Sequence, residues 1–211
     1  MSGILDLLNG PMGKMLINGA GNQLGLDQSK ATTAMTAALP LIMGALKNNA
    51  ETPGAAEGLL NALNDDRHDG SLLDKLGDVL GGNEIDRDVL DDGEGILGHV
   101  FGGKHENVAQ AVSKTSGIDM GSAMNILKVA APVVMAYLGK QTRERSVSSP
   151  SDLSNLLGGM LGSGHQEHQS LINRLLDADG DGSIIDDVAG MLLSGNKKSG
   201  LGGLLGKIFG R

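Results

Sequence analysis

Gly25-Leu26-Asp27, followed by the run Ala38-Leu39-Pro40-Leu41-Ile42-Met43-Gly44-Ala45-Leu46, decides how this chain is read. The same design returns as Gly117-Ile118-Asp119, followed by Ala130-Ala131-Pro132-Val133-Val134-Met135-Ala136-Tyr137-Leu138. The offset is constant at 92 residues, from 25 to 117 and from 40 to 132, and it pairs Ala31 with Ala123, Ile42 with Val134 and Leu46 with Leu138. Within the first stretch Ala31, Ala34, Met35, Ala38, Ile42, Ala45 and Leu46 recur every three to four positions, the period of a helix with one buried face. Asp27 and Asp119 stand where an N-cap belongs, because a short carboxylate there accepts from an otherwise unpaired backbone N–H. A mid-run proline removes one donor and crowds the preceding turn, so Pro40 and Pro132 each predict a kink or the start of a new helix.

A second echo, at an offset of 112, sets Asp65-Asp66-Arg67-His68-Asp69-Gly70-Ser71-Leu72-Leu73-Asp74 beside Asp177-Ala178-Asp179-Gly180-Asp181-Gly182-Ser183-Ile184-Ile185-Asp186. Two echoes in the same order predict a duplication. Its first copy would be 1–92, its second copy 93–193, and a Gly/Leu/Lys tail would follow at 194–211. No stretch alternates with a period of two, so the fold class expected is all-α, two diverged multi-helix copies around a shared core. The acidic run from Asn83 to Glu94 reads as the connection between copies, and Gln141 to Ser151 as an exposed linker.

Composition narrows the function classes. The 211 residues carry a net charge of −8, which disfavours a phosphate-backbone partner; with no Trp, one Tyr and two Phe, stacking platforms for single strands are scarce too. No nucleic acid is therefore expected. The absence of cysteine excludes disulfides, thiolate metal sites and thiol nucleophiles. Met1-Ser2-Gly3-Ile4-Leu5-Asp6 lacks a basic region and a sustained apolar region, so no secretory signal is read and a cytoplasmic location is expected. The mean hydropathy of −0.05 argues against an integral membrane protein, and the apolar window from Met120 to Leu138 reads as a buried helix. The 34 glycines exceed the usual share of about 7% more than twofold and predict short helices with glycine stops.

The pattern Ile96-Leu97-Gly98-His99-Val100-Phe101-Gly102-Gly103, then Gly117-Ile118-Asp119, then Ala131-Pro132-Val133-Val134-Met135, then Asp177 to Asp187, resembles the YidB-like bacterial family. That family is a domain of unknown function and largely helical. The resemblance covers most of the chain and implies a helical fold and a bacterial source. It brings no activity and no catalytic residues.

One stretch carries legible chemistry. Asp177, Asp179 and Asp181 stand at positions one, three and five of an EF-hand-like loop, with Gly182 at the sharp turn, the Ser183 carbonyl at position seven and apolar Ile184 at eight. Calcium is a hard cation that takes six to eight oxygens, which this spacing can converge. Position twelve is Val188 instead of glutamate, so Asp186 or Asp187 would close a shorter loop. Binding is then expected at the weak end, about 10⁻⁴ to 10⁻³ M. The alternative is a plain acidic turn, since Asp and Gly favour turns. In the first-copy loop Arg67 replaces the counterpart of Asp179 and Lys75 that of Asp187. Two cations there oppose a divalent ion, and the loop reads as a metal-free relative held by internal charge pairs.

The remaining candidates are weaker. His165 and His168 share a spacing that can hold a transition metal, but no second ligand cluster accompanies them, and a solvated polar face is the simpler reading. Gly13-Lys14 and Gly206-Lys207 lack the glycine spacing and the following Ser or Thr of a phosphate loop, and no nucleophile elbow is present. The chain is not expected to be an enzyme. Leu201, Leu204, Leu205, Ile208 and Phe209 form one stripe beside Lys207 and Arg211. Such a helix suits an anionic membrane surface or a partner's groove, with docking on its own domain as the alternative. The leading expectation is an interaction or scaffold protein with an unknown protein partner or self-association. The runner-up is a peripheral membrane protein.

Overall fold

The structure is a computed structural model, and it describes residues 8–82 and 85–162. Among these residues all regular structure is helical. Helix α1 spans Pro11–Gln23, α2 Gln28–Glu51, α3 Ala55–Asn64, α4 Ser71–Asp74 and α5 Leu76–Leu80. Helix α6 spans Arg87–Phe101, α7 His105–Ser116, α8 Met120–Glu144 and α9 Pro150–Gly162. Short 3-10 turns at Asp66–His68 and Gly102–Lys104 link α3 to α4 and α6 to α7. The all-α expectation holds.

The long helices α2 and α8 form the centre and pack on one another. Each begins at a turn that only a glycine enters without strain: Gly25 has φ +64° and Gly117 has φ +67°. Each is capped as expected, Asp27 accepting from the Lys30 N–H at 3.0 Å and Asp119 from the Ser122 N–H at 3.0 Å. Leu39, Ile42, Met43 and Leu46 of α2, with Ile126, Leu127 and Leu138 of α8, are fully buried. Burial of each such side chain contributes about 1.5–3 kcal/mol before chain entropy is set against it. Helix α9 packs on α2, α7 on both long helices, α6 on α8, and α1 on α2 and α5. Helix α8 is the one described helix long and apolar enough to cross a bilayer, and 67% of its apolar window is buried inside the protein.

Three local expectations differ from what is found. Neither proline starts a new helix: α2 runs unbroken through Pro40 and α8 through Pro132. Both prolines are buried, and packing on every side holds the helices together where one hydrogen bond is missing. The acidic run after Asn83 is largely helical, because Asp86 caps α6 by accepting from the Asp88 N–H at 2.9 Å. Asp88 sits in the first turn, where the helix dipole favours it, and Ile96, Leu97 and Phe101 supply the buried face of the helix. Residues 141–144 form the last turn of α8 instead of a linker, with Thr142 buried and donating from Oγ1 to the Gly139 carbonyl at 2.8 Å.

Candidate functional site

The residues proposed for calcium, Asp177, Asp179, Asp181, Ser183, Asp186 and Asp187, lie outside the described residues, as do His165, His168 and the stripe from Leu201 to Phe209. The acidic loop of the first half, Asp65 to Asp74, is described in full. It therefore carries the geometry available for this kind of loop.

Two aspartates fold it locally. The Asp65 Oδ1 accepts from the Arg67 N–H at 3.0 Å, and the Asp69 Oδ1 accepts from the Ser71 N–H at 2.7 Å. Each closes a small ring that turns the chain without help from a helix ladder. Gly70 then takes φ +100°, a conformation that side chains avoid. The Arg67 guanidinium reaches back to Asp65, Nε to Oδ1 at 3.0 Å. That contact holds the Asp65 carboxyl below its ordinary value and raises Arg67. Hydrogen bonding from Ser71 likewise holds Asp69 down. The expectation of an internal charge pair is met at Asp65 and Arg67.

The rest of the site comes from distant elements. Arg143, in the last turn of α8, donates to three backbone carbonyls: Asp65 at 2.9 Å, Asn64 at 3.1 Å and His68 at 3.1 Å. One fixed guanidinium fork thus satisfies carbonyls at the exposed end of α3 and inside the loop. Gly139, one turn earlier on α8, makes this approach possible, because a Cβ there would overlap the His68 and Leu63 carbonyl oxygens.

His68 is 4% exposed. Its Nδ1 lies 2.7 Å from the Ala62 carbonyl oxygen. Its Nε2 is buried without a hydrogen-bond partner and faces Asp92 Oδ2 of α6 at 3.8 Å. The Arg67 Nη1 lies 3.9 Å from the other Asp92 oxygen. The loop, α6 and α8 therefore meet at a cluster of charged and titratable groups. Sequence reasoning quoted Arg67 but missed Arg143, His68 and Asp92. The signal for Arg143 was a cation in the last turn of a long helix; nothing local marks His68 or Asp92.

The described residues contain no group of three or more His, Asp or Glu side chains placed to hold a metal ion. His99 Nδ1 lies 2.7 Å from the Gly95 carbonyl oxygen, and His105 Nδ1 lies 2.9 Å from the Gly102 carbonyl oxygen.

A family model described as "Bacterial protein of unknown function (DUF937)" matches residues 6–141 and 146–211. No curated protein and no solved structure matches the chain.

Proposed function

The chain belongs to the bacterial family of unknown function DUF937, and from that premise we propose that it is a non-enzymatic interaction or scaffold protein with one weak calcium loop in its second half. Its halves, on this reading, are diverged copies of one helical unit. The observation that carries the reading is the paired design of α2 and α8: a left-handed glycine, a capping aspartate two residues on, and a buried proline at the same register.

The loops then divide the work. The first keeps the turn chemistry, with Gly70 in the left-handed region, but surrounds it with Arg67 and Arg143. The second has Asp179 where the first has Arg67, and Asp187 where the first has Lys75. Three converging carboxylates repel one another until a cation joins them, so the second loop suits calcium. With a single aspartate, Asp186 or Asp187, in place of the closing glutamate, the site acts structurally and not as a fast sensor. A cytoplasmic setting and a protein partner, or a second copy of the chain, belong to the same proposal.

Calorimetry with calcium up to about 10⁻³ M tests it. The intact protein should give heat, Asp179→Ala none, and Asp69→Ala the same heat as the intact protein. Silence from the intact protein refutes the calcium loop.

A further inference from the structure

The buried, unpartnered His68 Nε2 is the one polar atom in the cluster that the loop's own turn chemistry does not use. The Ala62 carbonyl can only accept, so Nδ1 carries a proton and donates to it at 2.7 Å. In the neutral ring Nε2 is then a lone pair. It faces Asp92 Oδ2, a second acceptor, at 3.8 Å. Two acceptors face to face are held apart, whereas a proton on Nε2 would turn the gap into a charge-assisted hydrogen bond.

We propose that His68 and Asp92 form a proton-operated latch that ties the loop after α3 to helix α6. In the neutral state the latch is open at the observed distance. A proton on Nε2 closes it, and imidazole is the side chain whose ordinary change of charge falls between about pH 5 and 8. The surrounding groups set the balance. The charged groups gathered there are Asp92 on α6, Asp65 and Arg67 in the loop, and Arg143 on α8, with the Lys140 stem against Gly70. Asp69 adds a further carboxylate to the loop, and Asp74 adds one on α4. Arg143 already grips the His68 carbonyl, and the Ala62 carbonyl holds the ring at Nδ1, so backbone and ring are both anchored. Closure therefore has to draw in Asp92, whose side chain is 31% exposed and has room to turn.

The test is thermal melting of the intact protein and of Asp92→Asn at about pH 5.5 and about pH 8. At the higher pH an asparagine amide N–H can satisfy Nε2, so the variant should melt no lower than the parent. At the lower pH it loses the charged partner and should melt about 2–4 °C below the parent. The Arg67–Asp92 contact keeps its charge across this range and cannot produce the difference. An equal effect at both pH values overturns the proposal. Long-range nitrogen NMR on the unmutated protein decides independently if the variant fails to fold. The His68 ring should carry its proton on Nδ1 at the higher pH and on both nitrogens at the lower. A proton on Nε2 at the higher pH, or a ring still neutral at the lower, also overturns the latch.

Discussion

Gly93 of α6 lies directly on the backbone carbonyl of Lys128 in α8, so close that a Cβ on Gly93 would overlap that oxygen. Lys128 is four residues before Pro132, and its carbonyl is the one that the proline, lacking an N–H, leaves without a helix partner. The Gly93 backbone packs against the freed oxygen, with Cα–H groups that make a weak contact of this kind favourable. The Lys128 side chain adds an ion pair to the next residue, Nζ to Glu94 Oε2 at 2.9 Å.

Gly93→Ala should therefore destabilise the protein by about 1–3 kcal/mol, as overpacking against an unyielding backbone does. Gly95→Ala, in the same helix with nothing within 4 Å of an added Cβ, should stabilise it by about 0.5–1 kcal/mol. Urea unfolding of the two variants checks the contrast, and equal effects would remove the packing argument.

Arg143→Lys keeps the positive charge but loses the fork that reaches three carbonyls. It should raise amide hydrogen exchange in residues 64–71 by about tenfold, the consequence of losing roughly one hydrogen bond's worth of local stability. The middle of α2 should exchange as before. Exchange unchanged in the loop would show that the three contacts contribute nothing there.

Acid should weaken the fold in a defined window. Hydrogen bonds and charge hold Asp65, Asp69 and Asp119 below the ordinary 3.8, and hydrogen bonding from Lys128 holds Glu94 below 4.5. A carboxyl lowered by folding contributes stability that is complete above its ordinary value and is lost as pH falls through its folded value. The urea midpoint should therefore be flat with respect to these groups above about pH 5 and fall below about pH 4. Asp65→Asn should shrink the fall, because it removes one titrating group.

Removing Leu201 to Arg211 should leave the helical circular dichroism and melting of the remainder intact while lowering co-sedimentation with anionic vesicles or capture of a partner. Unfolding of the truncated protein would place the tail in the core and end the interaction reading of that stripe.

Helix existence and the handling of the long helix starts were legible because they depend on neighbours in sequence. The three-to-four spacing from Ala31 to Leu46, and the Gly-x-Asp turns at 25–27 and 117–119, act within one or two turns of chain. The last turn of α8 was misread because Arg and Ser look like linker when counted by composition. Thr142 is buried there and Arg143 is anchored on carbonyls more than 70 residues away in sequence. The acidic start of α6 was misread for a similar reason: a cap and a dipole welcome the aspartates that a loop would also accept.

The sequence by itself determined that the chain is helical and where its two central helices begin. Each follows from local sterics, local hydrogen bonds and the period of apolar residues. Only the tertiary structure decided that α2 and α8 continue through their prolines, that Gly93 covers the Lys128 carbonyl, and that Arg143, His68 and Asp92 meet at the first acidic loop. Those outcomes depend on which helix surfaces come together, and close backbone approach and buried charge are properties of that meeting, not of any one segment.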